Sequence, residues 1–182
     1  MFQSLTQKVI SGVVALSMML LSGYQGNDAE FSEIEAVFQE KGVLIRTRLI
    51  SAFENDFEEL FKSGQEISVF FELNLKEKKE VFFRQIFRHS LQFDPLEQSF
   101  HVVIEESGYD LIVNSYENLL EAISIFEYFY KDELPDKFEI KLWAYLENIR
   151  IESINEEYDM MMLWKFKKPL ISKKFVRSEY EI

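Results

Sequence analysis

Two hydrophobic patterns divide the chain. The first is an uncharged apolar run from Val9 to Leu21, and a polar stretch at 25–30 follows it. Beyond that stretch the apolar positions recur mainly every second residue, the period of a half-buried strand. The clearest case is Ile67, Val69, Phe71, Leu73 and Leu75, which alternate with Ser68, Glu72, Asn74 and Lys76. The next strand, Val81 to Phe93, places Phe83, Phe87, Leu91 and Phe93 inward and Arg84, Arg88 and Gln92 outward; Asp94-Pro95 ends it. Phe100, Val102 and Ile104 then face Tyr109, Leu111 and Val113 across a Ser107-Gly108 turn. Four strands joined by short turns predict an antiparallel meander. Upstream, Ile34–Phe38 and Val43–Leu49 read as a hairpin around Lys41-Gly42. Downstream, a strand starts at Phe138 with Ile140, Leu142, Ala144 and Leu146 on one face. Its phase slips near Glu147-Asn148, as a β-bulge would make it do. Glu152 to Asp159 reads as an acidic loop and Met160 to Trp164 as a last apolar segment.

Helical spacing appears twice. Ser51 with Glu54 resembles a capping box before Phe53, Phe57, Leu60 and Phe61, and Gly64 is a natural stop. A second helix is predicted from Tyr116 to Tyr128, capped by Asn114 or Ser115, with Tyr116, Leu119, Leu120, Ile123 and Phe126 as its buried stripe. The expected fold is therefore α+β: an antiparallel, sandwich-like meander carrying two short helices, in one domain over 31–182.

The segment 1–24 is of a different kind. Lys8 is the sole charged residue before Asp28, and the apolar run follows it directly. A positive start, an apolar stretch of about 7–15 residues and small residues after it form the secretory pattern. The run is short beside the roughly 20 apolar residues that span a bilayer. Leu21-Ser22-Gly23-Tyr24 has the outline of a lipoprotein box with Tyr24 in the place of the cysteine, so no thioether to lipid can form there. Signal peptide and retained N-terminal anchor both stay open, with 25–30 as a polar hinge. The expected location is outside the cytoplasm, periplasmic or anchored to the membrane.

Composition narrows the partners. The chain has 182 residues, of which 47% are hydrophobic and 18 are Phe, enough for a packed core without metal or disulfide staples. There is no cysteine, so thiolate sites and disulfides are absent. A formal charge of −12 disfavours nucleic acid, whose phosphates are held by clustered Lys and Arg.

A Ser63-Gly64 turn precedes a clean strand, and an arginine-bearing strand ends in Leu91-Gln92-Phe93-Asp94. After these come a strand-turn-strand, a helix, a Leu134-Pro135 break and a final strand followed by Trp164 and Ser172. In this order of elements the chain resembles domain of unknown function 4390, a family of small exported proteins of Gram-negative bacteria, over most of Phe31 to Ser172. It departs from that pattern at Gln92 and Lys168-Pro169. The resemblance implies an extracytoplasmic location and carries no known activity.

Candidate chemistry is sparse. His89 and His101 are the two histidines; no nucleophile elbow, phosphate loop or dinucleotide fingerprint accompanies them. Glu105-Glu106 and Glu156-Glu157 lack the interleaved Asp, Asn and Gly of a calcium loop. No catalytic residue, cofactor or metal ligand is assigned, and a non-enzymatic role is expected. Two basic groups remain as contact candidates. Arg46, Arg48, Arg84 and Arg88 would form a stripe for an anionic partner if their strands are neighbours, or else pair across strands with residues such as Glu72. Trp164, Lys165, Lys167 and Lys168 open a basic, aromatic C-terminal stretch, suited to weak contact with anionic headgroups or to docking on the chain's own acidic body. The expected partner is an envelope protein, or in the alternative an apolar small ligand or lipid. Membrane contact is expected through the N-terminal segment if it is retained, or weakly through the basic C-terminus.

Overall fold

The longest alternating runs become the longest strands. In the computed structural model, which describes residues 26–54, 57–151 and 155–177, Ile67–Glu77 (β4) and Glu80–Asp94 (β5) form the centre of a six-stranded antiparallel sheet. Ser99–Ile104 (β6) and Tyr109–Val113 (β7) continue it on one side; Lys137–Leu146 (β9) and Leu170–Val176 (β12) continue it on the other. The predicted meander is thus present as β4-β5-β6-β7. The export run Val9–Leu21 lies outside the described residues, none of which forms a helix long and apolar enough to cross a membrane.

A second, smaller sheet covers the first. Gly42–Ile50 (β3) is its centre, flanked on one edge by Glu30–Phe31 (β1) and Glu35–Gln39 (β2) and on the other by Ile125–Tyr130 (β8). Rings from the two sheets meet between them: Phe71 lies 6.2 Å from Phe31 and 5.4 Å from Phe126, and Phe38 lies 6.1 Å from Phe138. Ile45, Phe71, Leu73, Leu75, Ile140 and Leu142 are fully buried there. Each such side chain contributes about 1.5–3 kcal/mol by leaving water.

The β2–β3 hairpin closes through Glu40-Lys41, with Gln39 opposite Gly42. Gly42 is required by a close approach, because a Cβ there would sit 2.0 Å from the carbonyl oxygen of Tyr130.

Three expected elements are corrected. Among the described residues the first helix spans Phe57–Phe61 (α1), and Ser51, with φ 51°, is no N-cap. Asn27 Nδ2 and Trp164 Nε1 both donate to the Ala52 carbonyl, so tertiary contacts hold that stretch out of a helix. The second helix stops at Ser124 (α2, Tyr116–Ser124), capped by Ser115, whose hydroxyl accepts from the Asn118 amide. The aromatic and β-branched run that follows prefers a pleated surface, and it pairs along β3 as β8. The slip near Glu147 is a strand end: Ile149–Ile151 (β10) leaves the sheet and pairs with Glu156–Tyr158 (β11). The C-terminal basic stretch contains β12, paired with β9 over seven positions.

Residues 27–30, read as part of a hinge, belong to the body. Asn27 is buried, its amide donates to the Leu163 carbonyl, and β1 pairs with β3. The end of the sandwich beside them is plugged by aromatics: Phe57 meets Phe53 and Phe61 edge to face, and Trp164 packs tilted on Phe53, around α1 and the 3-10 turn Met160–Trp164.

Candidate interaction surface

Because side chains alternate across a strand, the even-numbered positions of β4, those of β5 from Arg84 to Arg88 and the odd-numbered positions of β9 face away from the second sheet. The pairing register lines them up in rows. Leu170, Trp143, Glu72 and Ile86 form one row; Tyr145, Phe70 and Arg88 form the next; Ser172, Lys141, Asn74 and Arg84 form the third. Phe70 stacks on Tyr145 with centroids 5.1 Å apart. Lys168 reaches over the Tyr145 ring at 4.6 Å and Lys141 over Trp143 at 4.7 Å. Ile86 is 44% exposed and Leu170 50% exposed.

The rows give an aromatic and aliphatic centre bordered by Lys141, Lys168, Arg84 and Arg88, with the Glu72 carboxylate inside them and Glu66, Glu139 and Glu147 at their margin. Glu72 binds Arg84 at 2.9 Å and accepts from Asn74 Nδ2 at 3.3 Å. Asn74 Oδ1, buried under this grid, has no hydrogen-bond partner among the described residues. Burial, then the Glu72 and Glu147 charges, push the Tyr145 hydroxyl above the usual phenol range.

The four arginines named from sequence do not form one stripe. Arg84 and Arg88 lie on this face, Arg88 pairing with Glu66 at 3.3 Å. Arg46 and Arg48 lie on the far face of the smaller sheet, bound to Glu127 and Glu121. Each has found a carboxylate on a neighbouring element. In the C-terminal stretch, Trp164 is 1% exposed and its indole is committed to Ala52, so its ring meets the core. Lys165 pairs with Asp28, and Lys173 with Glu33 and the Ile34 carbonyl. These lysines hold the Asp28 and Glu33 carboxyls below the usual carboxylate range. Lys167 is exposed, and Lys168 joins the aromatic grid.

Both histidines have carboxylate partners, which neither periodicity nor motif spacing signalled. His89 is fully buried, with Nε2 2.6 Å from Glu106 and Nδ1 3.1 Å from the Ile123 carbonyl. His101 meets Asp110 at 2.5 Å on the exposed side of the β6–β7 hairpin. The only available signal was the tight Ser107-Gly108 turn, which folds Asp110 back beside His101. Neither ring lies in the cleft at the open end of the sandwich. That cleft encloses about 840 Å³ between Phe38, Lys41, Phe129, Lys131, Leu134 and Arg177. Beside it, burial and the Asp132 charge raise the Tyr128 and Tyr130 hydroxyls above their usual range. Among the described residues no group of three or more His, Asp or Glu is placed to hold a metal.

No family model matches the sequence, and no match was found among curated proteins or solved structures.

Proposed function

We propose that this chain is an exported, non-enzymatic binding module of the cell envelope, and that the outer face of its six-stranded sheet contacts a partner protein. The observation that carries the reading is the Trp143–Phe70–Tyr145 grid with its border of lysine and arginine. Aromatic and arginine side chains grouped on a flat surface are what energetic centres of protein interfaces are made of. Here they gather on a chain whose net charge is −12. The Lys8–Leu21 pattern and the resemblance to domain of unknown function 4390 support a location outside the cytoplasm.

The test is a photo-crosslinking residue placed at Trp143 in native cells, with Val37 as control. Val37 is 53% exposed on the opposite face of the sandwich. A discrete envelope protein crosslinked from Trp143 but not from Val37 supports the reading. Equal adducts from both positions, or recovery of the chain from cytosol alone, contradict it.

The cleft favours a second reading, a carrier of an apolar or lipid-like ligand, since its volume of about 840 Å³ suits a small molecule. Phe38, Phe129 and Leu134 are its apolar walls, among charged neighbours. Saturable binding of a fluorescent fatty acid, abolished by Leu134→Lys, would establish it.

A further inference from the structure

The six-stranded sheet has an opening in its middle. β6 pairs with β5 only from His89 to Asp94, whereas β4 pairs with it from Glu80 to Leu91. From Glu80 to Phe87, β5 therefore has a strand neighbour on one side alone among the described residues. This stretch is uncovered: Val81, Phe82, Arg84, Gln85 and Ile86 are all exposed. Gln85 is exposed although its parity points it inward, which shows that the flank is open as well as the face.

The direction of the free backbone groups follows from one contact. The Glu105 amide donates to the Arg88 carbonyl at 3.1 Å, and the Arg88 amide donates to the Glu105 carboxylate at 2.8 Å. Both backbone groups of Arg88 thus point toward the β6 side. Strand backbone repeats every two residues, so the amides and carbonyls of Ile86 and Arg84 point the same way, where no strand lies among the described residues. Glu105 makes the first rung of a ladder that then stops.

We infer that an extended acidic peptide segment of a partner protein completes this ladder by pairing antiparallel to β5. The inference rests on the partner-binding reading and names the occupant. Added strands take affinity from main-chain hydrogen bonds and specificity from alternate side chains. The side chains beside the incoming strand on the outer face are Ile86 and Arg84, so it must carry an apolar residue and, two positions on, a carboxylate. Glu105 already shows that an acid is accepted at this edge. At the far end Lys76, Lys78 and Lys79 outnumber Glu77 and Glu80 by one charge. The Arg84–Glu72 pair is exposed on its arginine side, and an ion pair open to water is held weakly, so the guanidinium can turn to a new carboxylate. A second copy of this chain fits worse. Two β5 edges paired about Ile86 would set Arg84 against Arg88 of the other copy, between bodies that each carry −12.

The probe is a short acetylated threonine-rich peptide carrying a valine and, two residues later, a glutamate; its control carries lysine for glutamate. It is titrated into the full chain while amide exchange is followed residue by residue. The glutamate peptide should slow exchange at Ile86 and Arg84. Arg84→Glu should weaken it at least tenfold and reverse the preference toward the lysine peptide. Ile86→Pro should abolish protection, because proline removes the amide that an added strand needs while edge positions tolerate it. Equal binding of both peptides, or binding unchanged in both variants, overturns the inference. A concentration-dependent dimer lost in Ile86→Pro overturns it too, by placing a second copy on the edge. Crosslinks from Trp143 without any protection of Ile86 would leave the face reading intact and reject this edge.

Discussion

His89 Nε2 and Glu106 Oε1 stand 2.6 Å apart with both side chains sealed from solvent. A carbonyl only accepts, so His89 Nδ1 carries the proton it gives to Ile123. The Nε2–Oε1 contact then holds one further proton between base and acid. Glu106 Oε2 has no partner among the described residues, so the pair is satisfied on one oxygen only. It ties the β6–β7 turn to the end of α2 through the core.

Removing one member leaves the other buried without its partner, which costs about 3–5 kcal/mol. His89→Leu and Glu106→Leu should each destabilise by that order in urea unfolding. The double variant should recover most of the loss, since buried pairs are often replaced by apolar groups at little cost. Additive losses would show that the two side chains do not act as a unit.

Tyr128 and Tyr130 give the fold an alkaline limit. Their hydroxyls titrate above the ordinary value of 10 in the folded chain, through burial and then Asp132. Above that value the unfolded chain has lost protons that the folded chain keeps, so stability falls as pH rises. Their contribution is fully present below pH 10 and lost through the folded values above it. Tyr128→Phe with Tyr130→Phe should flatten the decline in unfolding midpoint on the alkaline side and leave the midpoint's slope at neutral pH unchanged.

Gly42→Ala forces a methyl group against the Tyr130 carbonyl oxygen. The backbone of β8 must shift or the hairpin must open, and the cost should be about 2–4 kcal/mol. Thermal unfolding measures it; a change under about 0.5 kcal/mol, the scale of an ordinary surface substitution, would refute the stated contact.

Trp164 separates two views of the C-terminal stretch. As a core plug bonded to Ala52, it should cost about 3–5 kcal/mol when changed to Ala. As a surface anchor it would cost little, and vesicle binding would fall instead. The burial of its ring predicts the first outcome in denaturant unfolding and no change in vesicle binding.

β4, β6, β9 and the second half of β5 were legible because an apolar residue, or in β5 once His89, is buried at every second position; β7 was legible from its Ser107-Gly108 turn, although its side chains are largely exposed. Both β8 and β12 were not. Ile125–Tyr130 runs straight on from a helix and is apolar at nearly every position, so its period is ambiguous. Leu170–Val176 is lysine-rich because it is an edge strand, and its charges concealed its pairing with β9. The helix of Phe53–Phe61 was overextended because Phe53 packs on Phe57 and Phe61 without being helical. For the candidate surface, Arg84 and Arg88 were visible as outward positions. Trp143, Phe70 and Tyr145 were not, because only the register of three strands brings them together.

The central claim is that this grid binds a partner. It is tested most directly by measuring the affinity of the purified chain for the protein crosslinked from Trp143, with Tyr145→Ala against Val37→Ala. Losing a stacked aromatic from an interface centre should weaken binding at least tenfold, about 1.4 kcal/mol, for Tyr145→Ala, with Val37→Ala unchanged. Equal affinity for the two variants and the parent chain would contradict the account.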